Sequence, residues 1–242
     1  MIFPIDLVLL DLGNTLYHDR DPWPPIFRAA ESALWESLRR AGVQAQPKEI
    51  YGEYESLIDL YNADHRKDLS ERTTAVVLKE LLGRKGYVVS DEVVATSLRA
   101  MYAVTQTNWH LAPEARPLLQ ELEMREFHLG VISNAADEEN TQTLIDKGGI
   151  RPYLEFIVSS AAFGKRKPDP GIFRLALDHF GTPPERAVMV GDTYEADIVG
   201  AKRLGMRTIW IPLDAPAGLK LPHPAADVVV EGLLEIPAVI MH

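Results

Sequence analysis

The chain has 242 residues, 46% hydrophobic and 25% charged, with a formal net charge of −10 and no cysteine. That length suits one large α/β domain or a core with a smaller satellite, and the apolar content can build a core without a structural metal or disulfide. The missing cysteine excludes disulfides, thiolate ligands and cysteine nucleophiles, and the acidic balance argues against nucleic-acid and anionic-membrane partners, which reward a basic surface.

The first apolar run, IDLVLL (5–10), reads as a strand and ends on Asp11. Pro4, Asp6 and Asp11 break the N-terminal stretch and no basic residue precedes it, so it makes a poor secretory signal. No run reaches the roughly 18 uncharged apolar residues of a membrane span, and a cytoplasmic location is expected. From about 18 to 110 the pattern turns helical. Ile26, Ala30, Leu34 and Leu38 fall on one helical face, as do Ile50, Tyr54, Leu57 and Tyr61. Two further helices follow, for which Ser70 and Ser90 are candidate N-caps.

Beyond the helical insert, buried-strand patterns return at 127–133, 155–159, 186–191, 206–211 and 227–230. Helical patterns separate the earlier ones: 113–125, 170–181 with Pro first and Gly last, and 195–205 with an acidic start and a basic end. Strands alternating with helices imply a doubly wound parallel α/β sheet. The expected division is a core of 1–17 and 110–242, interrupted by an all-helical domain at 18–109.

Four small features stand at strand ends, where open α/β sheets bind ligands. Asp11 is the first; a turn in which Asn14 and Thr15 satisfy the backbone explains it equally well. Ser133-Asn134 offers a hydroxyl and an amide to an anion, or a cap to the helix near Asp137. In GKRKPDPGIF (164–173) two prolines can fix the place of Lys167, while Lys165 and Arg166 read as a solvated basic loop. VMVGDTYEAD (188–197) brings Asp192 and Asp197 past another strand, with Gly191 allowing close backbone approach. Two carboxylates without a sequence-adjacent cation suggest Mg2+, or else a helix cap and a surface acid. Taken together they make one device: a carboxylate to attack phosphorus, a cation, donors for the oxygens and a lysine to spread charge.

As a set, these motifs resemble the haloacid dehalogenase-like (HAD) hydrolase superfamily over residues 5–17 and about 110–231. The resemblance implies a Rossmann-like core with a helical cap that selects a small phosphate ester. Asp11 would be the nucleophile that forms an aspartyl-phosphate, with catalytic Lys167 beside it. Mg2+ would be held by Asp11, the Gly13 carbonyl and Asp192, with Thr15 behind them and Asp197 either reaching the metal's water shell or orienting Lys167. Ser133, Asn134 and amides around Asn14 would hold the phosphate.

The departure is Gly13, where family phosphatases usually carry an Asp as general acid and base. Such catalysis is worth about 10²–10⁴ in rate, so a weakened or specialised enzyme is expected, with aryl or acyl phosphates suffering least. His18, Asp19 and Asp21 are candidate replacements, or polar residues of an exposed hinge. Trp23 and Trp109 flank the insert at its joins, where packing of the hinge is favoured over stacking on a substrate. The alternatives are a dehalogenase, a phosphonatase using Lys48, Lys67, Lys79 or Lys85, and a phosphate-binding protein without turnover.

Overall fold

In the computed structural model, which describes residues 3–44, 68–213 and 225–241, the chain enters through β1 (Phe3–Pro4) and β2 (Leu7–Leu10). All four side chains of β2 are fully buried. Leu7 and Leu9 pack with Ile172 and Phe173 on one face; Val8 and Leu10 pack with Leu118 and Val131 on the other. A strand buried on both faces explains the unbroken apolar run, and replacing Leu9 by Ala would cost about 2–5 kcal/mol.

After Asp11 the chain turns into β3 (Tyr17–Asp19), which pairs antiparallel with β4 (Trp109–Leu111). The expected domain boundaries fall inside this ribbon, which stands at the root of the insert. Between its strands lie α1 (Trp23–Arg40), α2 (Thr74–Arg84) and α3 (Asp91–Thr105). Leu34 and Leu38 of α1 share an apolar cluster with Val77 and Leu81 of α2 and Val94 and Leu98 of α3, separate from the clusters flanking the sheet. Ser90 caps α3 through Val93 N–H as expected, but Thr73, not Ser70, caps α2 by accepting from Val76 N–H. Ser70 instead bonds to Asp68 and pairs with Lys165. The helix expected around Ile50, Tyr54, Leu57 and Tyr61 lies outside the described residues, as do Lys48 and Lys67.

The rest of the chain completes the sheet in the expected order. α4 (Ala115–Met124) precedes β5 (His128–Ser133), α5 (Glu138–Gly148) precedes β6 (Phe156–Ser159), and the short α6 (Ser160–Phe163) and α7 (Pro170–Phe180) precede β7 (Ala187–Gly191). β8 (Arg207–Trp210) and β9 (Val228–Val229) finish one edge, and β10 (Ile240–Met241) pairs with β1. The six-stranded parallel sheet runs β6-β5-β2-β7-β8-β9. From β2 the chain steps outward to β5 and β6 and then crosses back to β7 on the other side of β2, so a crevice opens at the carboxyl ends of β5, β2 and β7. The helix expected over 195–205 is instead a π-helical turn, Tyr194–Val199, followed by one short α-turn, Gly200–Lys202. The widened turn carries Asp197 into the interior beside β7.

Candidate active site

Three strand ends meet in that crevice. Leu10 registers with Val131 and with Val190, so Asp11, Ser133 and Asp192 emerge side by side. Asp11 N–H donates to the Val190 carbonyl at 2.9 Å, tying the residue after β2 to β7.

Lys167 comes from the loop before α7 and is buried beneath them. Its Nζ donates to Asp11 Oδ1 and to the Ile132 carbonyl, each at 2.6 Å, and lies 2.6 Å from Asp197 Oδ1. The last contact is a charge pairing without hydrogen-bond alignment, which leaves Asp197 Oδ1 with no hydrogen-bond partner. The other Asp197 oxygen accepts from Thr193 N–H at 3.0 Å. Asp197 is therefore neither a surface acid nor uncompensated: a lysine distant in sequence meets it in space. Gly191 makes that possible, because a Cβ there would overlap the Asp197 carboxylate.

Asp11, Asp192 and Asp197 each place a carboxylate oxygen within 4.8 Å of the others. Burial pushes the Asp11 carboxyl up to about 7; Lys167 pulls it back, while Asp197 and Asp192 push it further up. Asp192 is raised by burial and by Asp197. For Lys167, burial opposes the charge, yet the two carboxylates outweigh it and hold the lysine above its ordinary value. One cation thus serves three acids, an arrangement that favours a further positive charge.

The remaining expected residues separate into distinct roles. Ser133 is buried at the end of β5, and its hydroxyl has no hydrogen-bond partner among the described residues. Asn134 does not cap α5, which Asp137 caps itself. Its amide accepts from Lys167 N–H at 2.7 Å and donates to the Lys167 carbonyl at 3.0 Å, clamping the lysine's main chain. Asn14 adopts φ 60° and its N–H donates to the Tyr17 carbonyl at 2.6 Å, so that amide serves the turn. The N–H groups of Leu12 and Gly13 carry no such bond among the described residues and are the free donors beside Asp11. Thr15 keeps a buried hydroxyl without a partner.

The candidate replacement acids do not join the cluster. Thr15 and His18 line a cavity of about 480 Å3 with Glu114, Ile211 and Glu235. Asp19 and Asp21 are exposed, and the main chain of Asp21 is held by Asn108. Lys79 is ion-paired with Asp91 at the surface.

Several residues that matter here have no motif to announce them. Trp210 Nε1 donates to the Asp192 carbonyl at 2.7 Å and fixes its backbone; its place at the end of a strand beside Gly191 follows only from register. Arg166, expected in a solvated loop, instead meets the buried carboxylate of Glu71 at 3.0 Å. Ser160 donates to the same carboxylate. Glu71 N–H donates to the Gly164 carbonyl and Arg166 N–H to that of Leu69, at 2.9 and 2.8 Å. The segment before α2 is thereby laced to the loop that carries Lys167.

Residues 5–205 match the model of a family described as haloacid dehalogenase-like hydrolase. A glyceraldehyde 3-phosphate phosphatase of Methanopyrus kandleri is 30% identical over 212 residues, covering 86% of this chain and 84% of the relative. Another protein of that name, from Pyrococcus furiosus, is 27% identical and covers 96% and 91%. Among solved structures, a 2-haloacid dehalogenase from Pseudomonas syringae pv. Tomato DC3000 superposes with TM-score 0.73 at 28% identity over 97% of each chain.

Proposed function

The chain belongs to the haloacid dehalogenase-like hydrolases, and on that premise we propose that it is a cytoplasmic, Mg2+-dependent phosphatase of small phosphorylated metabolites. The observation that carries this reading is the charge imbalance: three close carboxylates, all oxygen donors, against one buried lysine. Such a set fits a hard divalent cation. Asp11, the Gly13 carbonyl and Asp192 would hold Mg2+, which when bound supplies the positive charge that lets a carboxylate and a phosphate approach each other.

Asp11 attacks phosphorus; its oxygen forms the new P–O bond while the ester P–O bond breaks and the leaving oxygen takes the electron pair. Water then cleaves the aspartyl-phosphate, releasing inorganic phosphate and restoring Asp11. Lys167 orients Asp11 and offsets charge on the phosphoryl oxygens. The Ser133 hydroxyl and the Leu12 and Gly13 N–H groups donate to those oxygens, Asp197 holds Lys167 in place, and Asn134 fixes its loop. Thr15 supports the turn after Asp11. The helices of 18–109 form a cap over a core made of 1–17 and 110–242, and select the substrate. The names of the two relatives from Methanopyrus kandleri and Pyrococcus furiosus support a small phosphate monoester as substrate.

A panel of phosphate monoesters assayed with and without Mg2+, with Asp11→Asn alongside, tests the proposal. Mg2+-dependent release of phosphate that vanishes in the variant is expected; equal release by the variant would overturn it. The likeness to a 2-haloacid dehalogenase favours halide displacement as the second reading. Halide release from 2-chloropropionate without Mg2+ would establish that reading in place of the first.

A further inference from the structure

Trp109, on β4 at the root of the insert, stands directly over the residue that lacks a side chain. A Cβ built on Gly13 has one neighbour within 4 Å, the Trp109 Cη2 atom at 3.7 Å. From Trp109 an aromatic series leads outward. Trp23 is 5.4 Å away, centroid to centroid, and Phe27 stacks on Trp23 at 5.0 Å with the planes 19° apart. Trp23 and Phe27 continue the apolar stripe of α1 but lie outside the cluster formed by Leu34, Leu38 and the other insert helices. Phe27 remains 53% exposed. We propose that Trp109, Trp23 and Phe27 form the leaving-group subsite of this active site, and that the site takes aryl phosphate monoesters.

Two independent lines converge on that class. The first is proton supply. Among the described residues, the titratable groups gathered at Asp11 are taken up: Lys167 by two carboxylates and a carbonyl, Asp197 by Lys167 and Thr193 N–H, and Asp192 by the Thr193 hydroxyl. Position 13 contributes no group at all. From these residues a leaving oxygen gains no proton, which suits a phenol of pKa about 10 far better than an alkanol, whose hydroxyl resembles water at about 15.7. The second line is shape and polarity. Beside the place where the leaving group emerges stands an indole rather than a carboxylate, and a flat apolar ring gains from stacking on it, by about 3–10-fold in affinity.

The inference rests on the phosphatase reading but can be tested apart from turnover. Phenylphosphonate and methylphosphonate are titrated calorimetrically, with Mg2+, into the wild type, Trp109→Leu and Trp109→Phe; phenyl and ethyl phosphate are then compared as substrates. The wild type should prefer the phenyl compound by about tenfold. Trp109→Leu should lose that preference while methylphosphonate binding stays within about twofold, and Trp109→Phe should keep most of it. Trp23→Leu, one ring further out, should show a smaller selective loss and serves as the readout if Trp109→Leu does not fold. No phenyl preference in the wild type, or an equal loss for both phosphonates in the variants, would overturn the subsite and leave the rings as packing. Phenyl-selective binding without hydrolysis of any ester would sink the phosphatase reading and leave the subsite standing.

Discussion

Two groups of buried charge take their cations from adjacent residues, Arg166 and Lys167, and are built on opposite principles. Around Glu71 the charges balance: one carboxylate meets one guanidinium and one hydroxyl, and backbone hydrogen bonds run on either side. Around Asp11 they do not: one lysine faces three carboxylates, and burial lifts two of the acids above their ordinary range. A balanced pair fastens segments together. An unbalanced cluster in a crevice holds free energy in reserve for a ligand that brings the missing charge.

That contrast breaks most decisively at Asp11. Asp11→Asn should lower turnover by about 10⁴ or more and yet leave the melting temperature unchanged or higher, because a repelled buried charge is gone. A large loss of stability in thermal melts would place Asp11 with the balanced, structural group. Next comes the glycine that admits Asp197. Gly191→Ala should cost about 1–3 kcal/mol from overpacking, and steady-state kinetics should show kcat falling with it as Lys167 loses its partner. The balanced group predicts the reverse pattern. Glu71→Gln should reduce stability by about 1–2 kcal/mol, since Arg166 is partly solvated, while KM changes more than kcat because the residue touches no reacting atom. A variant that lost kcat alone would tie Glu71 to the chemistry.

The smallest expected effect concerns pH. Asp11 titrates normally at 3.8 in the unfolded chain and near 7 in the metal-free fold. Between those values the folded state holds a proton that the unfolded chain has released, so metal-free stability falls as pH rises through that window. Mg2+ favours the ionised carboxylate, and its stabilising effect should be larger by a few degrees at about pH 8 than at about pH 5. Thermal melts with Mg2+ and with chelator measure this, and an equal increment at both values would mean that Asp11 is not a ligand.

The parallel sheet was legible because each of its central strands is buried on both faces and so reads as an unbroken apolar run. Asp11 and Asp192 could be placed at strand ends because each follows such a run, and Lys167 because it stands just before a rigid proline turn; in the structure they lie together with Asp197. What escaped was set by pairing across long separations. Nothing near Arg166 in sequence announces Glu71, and only the family resemblance, not the residues around Asp197, joined Asp197 to Lys167. Asn134 looked like a phosphate donor because its partner, the Lys167 backbone, lies 33 residues away. Ser70 and Thr73 are both good caps by chemistry, and the choice between them depends on where the chain docks against the core. The placement of Trp109 over Gly13 comes from ribbon register, which joins positions on either side of the whole insert.

The central claim is that Asp11 is phosphorylated during turnover. With no acid or base at position 13, attack of water on the intermediate is slowed and the phosphoryl-enzyme should accumulate. The direct measurement is mass spectrometry of the Asp11 peptide after acid quenching during turnover of an aryl phosphate with Mg2+. A phosphoryl adduct on Asp11, absent in Asp11→Asn, is the predicted result; steady turnover with an adduct elsewhere, or undiminished in Asp11→Asn, would contradict the account.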